Sequence, residues 1–595
     1  MSSHAQVNQS ILVLPFINLS PTLENDYFSD GISEEIINAL AKIDRLKVLA
    51  RTTSFSFKGK HIDIREIGEQ VNVQTILEGS IRRSGDRIRI TAQLIETKEG
   101  THLWSENFDR KMDDIFTLQD EISLQIADKI RENFGHFDVQ DHLVQKQTDS
   151  IRAYELFLEA RFYQLQWTPE SLKKAVELYL ESTKNDAHFA RSYYGLVQSY
   201  GLLAAWGYMP QKESFQLAGE CFIKAREIDA TLPEYHISLI GKSFWGEWDY
   251  PLTYQLLLQA LDANPHYSDA VEAIAELMIA NGYFAEADKH IRMALETDPL
   301  SANHHYTLAN IFYYQKDFSN ALNNIEKALH IYPEFQLPKE LRLMCYIHIN
   351  DSSSLERYIS ESHKPQLVQL LYDVMNDGTV TIEKPQVDEL IESSKSQHIL
   401  VPYELYILAN SKDYPDAAIG ILSEYVMQKR GQIINFRFDP LLSGIQHSPE
   451  VKRLYPKQLE LDTLAVTGEL SDKKTEKLSD EEINYLVGEI HRLMEEEEVF
   501  LSSKLNLRLL AEQMNVHSNK LSLFINLQYN KNFNEYINAY RLNHFQKIAL
   551  DDQYAYMSIL GKAFESGFNS KSVFNSFFKK QIGLSPKEWI KEQAI

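Results

Sequence analysis

The sequence predicts a multidomain chain: an N-terminal α/β (α+β) domain, an all-α solenoid of helical repeats, and a C-terminal all-α domain with two similar helix pairs. Three observations carry this prediction. Strand and helix periodicities alternate from residue 10 to 131, a 34-residue repeat runs from 150 to 335, and one arrangement of short apolar helices occurs twice after residue 481. At 595 residues the chain is too long for one hydrophobic core.

Composition narrows the class further. A hydrophobic fraction of 44% and a charged fraction of 24% are ordinary for a globular protein. Cys221 and Cys345 are the only cysteines, which excludes a disulfide scaffold or a cysteine-rich zinc site and fits a reducing compartment. No run approaches the ~18–20 apolar residues that cross a bilayer. The N-terminal MSSHAQVNQS lacks a basic region, and the apolar run Ile11 to Leu14 soon meets Pro15, so it reads as a buried strand rather than a signal peptide. A cytoplasmic protein without a membrane partner is expected. The formal charge is −24, but residues 501–595 hold 12 Lys+Arg against 7 Asp+Glu, which makes that stretch +5 and leaves −29 on the rest. A basic terminal module on an acidic body suits nucleic-acid binding, because affinity comes from local phosphate neutralisation.

In the first domain (10–131) a strand is expected at Ile11 to Asn18. Asp30 is the expected cap of a helix through Ile32, Ile36, Leu40 and Ile43. A second strand at Leu46 to Arg51 and a short helix at Ile64 to Val71 follow. Ser84-Gly85-Asp86 reads as a hairpin tip. After it Ile88, Ile90, Ala92 and Leu94 alternate with Arg87, Arg89, Thr91 and Gln93. A turn at Lys98-Glu99-Gly100, a strand through Trp104 and a helix from Asp113 to Ile130 complete the unit. The words VLPFINLS (13–20), DYFSDGISEEI (26–36), ARTTSFSFKG (50–59), LEGSIRRSG (77–85), RITAQLIET (89–97) and HLWSENFDR (102–110) resemble the N-terminal domain of the TolB family, as it occurs in bacterial regulators and in cyclases. The resemblance names a domain and supplies no chemistry.

From 150 to 335, Ala260, Ala294 and Ala328 recur at the 34-residue step, each followed five positions later by Pro265, Pro299 or Pro333. Gly241, Ala275 and Ala309 keep the same step, twelve positions before Thr253, Ala287 and Ala321. So do Phe244, Met278 and Phe312. This is the tetratricopeptide period: small residues let antiparallel helices approach, and proline ends the second helix of each unit. Looser copies are marked by Ala218, Phe222 and Ala225, and by Ala175, Tyr179 and Ser182. Degenerate helical repeats from 336 to 460 suit the terminal cap of a solenoid. Residues 461–480 are expected to be a linker, with its polar centre at Thr467 to Lys477.

In the last domain (481–595) Ile483, Leu486, Val487, Ile490, Leu493 and Met494 form a helical stripe that ends in the acidic run Glu495 to Glu498, read as a solvated face. A helix through Leu505, Leu507 and Leu510-Ala511 turns at Asn515-Val516 into a second one through Leu521, Phe524 and Ile525. After a linking helix (Phe533 to Leu550) the plan recurs, with Ile559-Leu560, Ala563-Phe564, a tight turn at Gly567-Phe568, then Val573, Phe574, Phe577 and Phe578. LRLLAEQMNVHSNKLSLFIN (507–526), NFNEYINAYRL (532–542) and AFESGFNSKSVFNSFFKKQIGLSPKEWI (563–590), with Gly583, Ser585 and Pro586 near the end, resemble the double helix-turn-helix domain of AraC/XylS regulators. The resemblance implies sequence-specific binding of double-stranded DNA, each second helix entering the major groove. By position it implies base-facing Asn519, Lys520, Ser522 and Leu523 in the first unit, and Lys571, Ser572, Asn575 and Ser576 in the second. Lys579 and Lys580 are placed for phosphates. The family often has an arginine where this chain has Leu523, which implies weaker base reading, or reading through shape, by the first unit.

Other features carry no assignment. Arg82, Arg83, Arg87 and Arg89 read as a solvated hairpin face, and Trp245 and Trp248 as packing residues. His304-His305 has no third ligand at metal spacing and is expected on a repeat surface, so no metal and no cofactor are expected. No phosphate loop, His-Glu-x-x-His or Gly-x-Ser-x-Gly motif is present, and no enzymatic activity is expected. The expected partners are double-stranded DNA at the C-terminal domain and a protein or peptide on the repeat surface. Oligomeric state stays open, since one chain already holds two reading helices. The alternative is a repeat scaffold without selective DNA binding.

Overall fold

The structure is a computed structural model that describes residues 9–20, 26–166, 168–205, 208–263, 267–377, 380–396, 400–460 and 478–593. The strands β1 (Gln9–Val13), β2 (Ile17–Asn18), β3 (Leu46–Val48), β4 (Thr75–Ser84), β5 (Arg87–Glu96) and β6 (Thr101–Lys111) form one mixed sheet in the order β3-β1-β4-β5-β6, with β2 also on β4. β1 runs parallel to β3 and β4, whereas β4, β5 and β6 form an antiparallel meander. Alternation along the strands sorts their side chains onto two faces. Ile11, Val13, Leu77, Ile81, Ile88, Ile90, Ala92 and Leu94 join α1 (Asp26–Leu40) and α4 (Ile115–Phe134) in a large core. Leu12 and Ile76 point the other way, onto α3 (Ile64–Val71) and Phe57. Between β3 and α3 lies the short α2 (Arg51–Phe55).

Several local expectations shift for identifiable reasons. Pro15 has no amide hydrogen for the ladder, and the expected single strand is split into β1 and β2 around it. Helix α1 begins at Asp26, so Asp30 is an interior residue rather than a cap, buried and paired with Lys58 Nζ at 2.6 Å. β3 ends at Val48, because Arg51 already opens α2. The helix expected from Asp113 starts at Ile115 after a 3₁₀ turn at Met112–Asp114 and runs on to Phe134.

The solenoid consists of helix pairs: α5 (Ile151–Gln164) with α6 (Pro169–Asn185), α7 (Ala190–Ala205) with α8 (Gln211–Ile228), α9 (Pro233–Gly241) with α10 (Tyr250–Ala263), α11 (Ser268–Asn281) with α12 (Phe284–Thr297), and α13 (Ala302–Tyr314) with α14 (Phe318–Ile331). Ala275, Ala287, Ala294, Ala309, Ala321 and Ala328 are fully buried where paired helices touch, as their spacing predicts. Pro299 and Pro333 follow the ends of α12 and α14; Pro265 lies outside the described residues. Among the described residues seven further helices continue to 453: α15 (Gln336–His348), α16 (Ser352–Tyr358), α17 (Pro365–Asn376), α18 (Lys384–Ser394), α19 (Tyr403–Asn410), α20 (Pro415–Met427) and α21 (Pro449–Arg453). The linker expected at 461–480 lies outside the described residues up to 477, and Ser479 already caps the next helix.

The core under α1 and α4 runs without a break into α5, α6 and α7, through Tyr154, Phe157, Tyr179 and Leu196. Charged contacts tie the same elements: Glu34 pairs with Arg51 (3.0 Å) and Arg161 (2.9 Å), and Arg191 bridges Glu35 and Glu234 at 2.9 Å each. Farther along, Asp298 accepts from the amide and hydroxyl of Thr53 at 3.0 and 2.6 Å, and the Ala50 amide donates to the Thr297 carbonyl. The solenoid thus grips the α/β domain at two places.

Glu340 organises the far end of the solenoid. It is fully buried and accepts from Tyr403 Oη (2.6 Å), His363 Nδ1 (2.7 Å), Ser362 Oγ (2.8 Å), Gln336 Nε2 (2.8 Å) and the His363 amide (2.9 Å), joining α15, the turn that precedes α17, and α19. Burial alone raises its pKa, but these donors overcome burial and bring it down to about 2 from 4.5. A depressed carboxylate stabilises the folded form above its unfolded pKa, and loses that effect as pH falls from about 4.5 towards 2. Glu340→Gln is expected to cost about 3 kcal/mol at neutral pH. Thermal melts at pH 6 and pH 3.5 should show the variant well below the parent at the first pH and nearer to it at the second.

Candidate nucleic-acid interface

The C-terminal domain starts with α22 (Asp480–His491), whose N-terminus is closed by a capping box between Ser479 and Glu482. Two units follow, α23 (Leu507–Gln513) with α24 (Ser518–Tyr529), and α26 (Ile559–Glu565) with α27 (Lys571–Ile582), joined by α25 (Phe533–Ala549); α28 (Pro586–Gln593) closes the chain. In the first unit Leu510, Ala511, Leu521, Phe524 and Ile525 pack with Leu486 and Ile490 of α22 and with Phe533, Tyr536 and Ile537 of α25. In the second, Ala563, Phe568, Phe574 and Phe578 pack with Leu542, Phe545 and Ala549 from the far end of α25. Phe545 and Phe574 rings lie 4.7 Å apart, and Phe578 meets Trp589 of α28 at 5.8 Å. One helix therefore serves two cores and sets the spacing of the units. Phe564, expected in the second core, is 46% exposed.

Each unit turns on a residue in the left-handed region, Asn515 (φ 52°) in the first and Gly567 (φ 89°) in the second. At Gly567 a Cβ would stand 2.3 Å from the Phe500 carbonyl oxygen and 3.0 Å from Arg541 Nε. Arg541 is itself buried in α25 and donates to the carbonyls of Phe500 (2.8 Å) and Ser502 (2.9 Å); burial lowers its pKa to about 10.

The structure treats the two expected reading faces differently. In α27, Lys571, Ser572 and Ser576 are exposed and Asn575 is half-buried on the same helix. Lys579 and Lys580 are exposed, and Lys580 also reaches Glu535 at 2.9 Å. In α24, Asn519 and Lys520 are half-buried, whereas Ser522 and Leu523 are 2% and 8% exposed. Lys520 pairs with Glu482 of α22 at 2.6 Å. Asn519 meets the N-terminal domain: its Oδ1 accepts from Arg131 Nη1 (2.5 Å) and the Val139 amide (3.2 Å), and its Nδ2 donates to the Val139 carbonyl (3.1 Å). Arg131 and Val139 belong to no motif. They sit 388 and 380 residues away from Asn519, and no spacing rule reaches that far.

Other clusters resolve as follows. Arg87 and Arg89 both pair with Asp109, and Arg83 pairs with Glu155. Trp248 is buried; Trp245 is half-buried and lines a groove of roughly 1750 Å³ along the inner face of the solenoid, together with Arg191, Tyr267, Tyr306 and Asp439. His304 is not on a repeat surface. It is 1% exposed, with Nε2 3.5 Å from Glu272 and 3.9 Å from Asp269, so α11 brings beside it two carboxylates that sequence spacing did not reveal. Glu272 Oε1 is already taken by Thr307 and Asn303.

Comparison with known proteins agrees with this geometry. Residues 510–592 match the family model described as a helix-turn-helix domain. Residues 7–125, where the sequence resembles the TolB N-terminal domain, match the one described as the second domain of HilA/YgeH-like transcriptional regulators. The chain thus carries an AraC-type helix-turn-helix domain behind a helical solenoid and a regulator-type α/β domain. A putative adenylate cyclase 3 of Rhizobium meliloti (strain 1021) is 42% identical over 166 residues, and the shared part spans only 28% of this chain and 28% of that relative. Among solved structures, YrrB, a TPR protein with an unusual peptide-binding site, is 20% identical, with 33% of this chain and 98% of that one covered and a TM-score of 0.21. A human IFIT1 dimer with PPP-AAAA is 14% identical, with 60% and 78% covered and a TM-score of 0.32. Among the described residues no helix is long and apolar enough to cross a membrane.

Gly567→Ala combines a positive-φ penalty with a backbone clash, and is expected to destabilise the second unit by about 2–4 kcal/mol. Hydrogen exchange should show lost protection across 559–582 with protection of 507–526 retained. Equal loss in both would mean that α25 couples the two cores into one folding unit.

Proposed function

We propose that the chain is a sequence-specific, DNA-binding transcription regulator of the AraC type that works in the cytoplasm. Its α/β domain and solenoid serve as signal-sensing or protein-interaction modules. The observation that carries the proposal is the polar row of α27, with Lys571, Ser572 and Ser576 exposed and Asn575 half-buried among them, on the second helix of a unit inside the matched helix-turn-helix segment. A helix so presented fits the major groove, where amide and ammonium side chains discriminate base edges. Lys579 and Lys580 follow on the last turn as phosphate ligands that position without reading.

The solenoid groove suits a peptide or protein partner, since stacked helical repeats present extended concave surfaces. Its walls mix tyrosines with Arg191, Glu34 and Glu234, which supplies both apolar area and hydrogen-bonding groups of either charge. No catalytic role is assigned to any residue.

Selection of genomic fragments with the full-length protein, followed by salt-titrated binding, tests the proposal. A shared motif should emerge, and Lys571→Ala with Asn575→Ala should weaken binding to it about 10- to 100-fold with an unchanged melt. Lys579→Ala should weaken all sequences alike and lower the salt slope by about one. Motif-free binding that vanishes at moderate salt would overturn the proposal in favour of a repeat scaffold.

A further inference from the structure

The contact of Asn519 with the N-terminal domain belongs to a larger interface. Arg131 is 1% exposed, is held by Asp128 at 2.7 Å, and donates through Nη2 to Ser518 Oγ at 2.7 Å besides its bond to Asn519. Glu132 Oε1 accepts the amide of Leu507, the first residue of α23, at 2.8 Å. Asp128 Oδ2 pairs with Arg508 at 2.9 Å, and Asp141 meets His517 Nε2 at 3.0 Å. The His136 amide donates to Asn526 at 3.1 Å, while Asn532 and Asn534 donate to the carbonyl and side-chain oxygen of Asn133 at 2.7 and 2.9 Å.

We infer that the C-terminal end of α4 and residues 135–141 form a docking surface for the first reading helix, one that duplex DNA and the N-terminal domain cannot occupy together. The inference rests on the DNA-reading proposal above and adds its regulation. Three features of the surface carry it. It takes up the amide of Asn519, leaving that side chain no free acceptor or donor pair for an adenine edge, the bidentate pairing that asparagine makes in a major groove. Ser522 and Leu523 on the same helix are 2% and 8% exposed, so half of the expected reading row is buried in this form and the other half is partly so. And the carboxylates of the surface meet the groups that elsewhere bind phosphate: Glu132 a helix N-terminus, Asp128 an arginine, Asp141 a histidine. The α4 end offers the first unit an acidic, hydrogen-bonding face that stands in for a DNA backbone. Among the described residues, the polar row of α27 makes no hydrogen bond or ion pair with this surface. In the docked form the chain presents one reading helix, and release presents two.

The test uses the full chain and a DNA fragment selected by it. Asp128→Ala with Arg131→Ala removes the buried pair together, so neither charge is left without its partner. This variant should bind the fragment about ten-fold or more tightly and extend the protected stretch by about 10 base pairs, one further helical turn. Hydrogen exchange at 507–526 should rise while 559–582 stays as in the parent. Asp141→Ala, on the exposed rim, is the second variant should the first fail to fold, with a smaller change in the same direction. In the parent, excess duplex should raise exchange at 128–141. Unchanged protection length with unchanged exchange at 128–141 on adding DNA overturns the docking inference. If neither parent nor variant binds any fragment, while exchange at 507–526 rises in the variant, the DNA-reading proposal fails and the intramolecular dock stands without its competitor.

Discussion

The carboxylate of Glu34, clamped between Arg51 and Arg161, is the constraint from which the long-range arrangement follows. It lies on α1, deep between the sheet domain and the first solenoid helices, where an unpaired charge would be strongly destabilising. Burial works against its ionised form, yet the two guanidinium groups win and its pKa falls. Next to it, Arg191 does the converse job between Glu35 and Glu234. Such pairs require particular partners at particular distances, so they fix how α1 sits on α5 and α7 where apolar contact alone would tolerate sliding. With α1 fixed, α4 is fixed through their shared core, and the end of α4 arrives where the C-terminal domain meets it.

The C-terminal domain has its own organiser in α25. Its first half completes the core of one unit and its second half the core of the other, so neither unit can be reoriented without repacking the shared helix. Arg541, midway along, anchors it to the backbone that precedes α23. A rigid pair of units is what a two-groove reader needs, because groove spacing on a duplex is set by its helical turn. The same rigidity gives the α4 contact its leverage: covering one unit constrains where the other points.

Much of this was legible in the residues. The 34-residue step placed Ala275, Ala287, Ala294, Ala309, Ala321 and Ala328, all of which are buried as that period requires. The alternation Ile88, Ile90, Ala92, Leu94 gave the inner face of β5, and Gly85 and Gly567 marked turns that adopt positive φ. Errors came where short-range rules compete. Asp30 looked like a cap because caps are read from residue type, yet the helix began a turn earlier and the carboxylate found Lys58 instead. His304 looked exposed because its metal-type neighbours come from a different helix.

By itself the sequence determined most of the elements, their periods and the two helix pairs of the C-terminal domain, since all of these depend on neighbours within a turn or a repeat. Only the tertiary structure decided which of their residues meet water. Asn519 and Ser572 are each the second residue of their helix, and nothing in their local sequence says that one is half-buried against Arg131 and Val139 while the other is exposed. That difference is made by contacts across some 380 residues, set by how two folded surfaces fit, and no local pattern encodes such a fit.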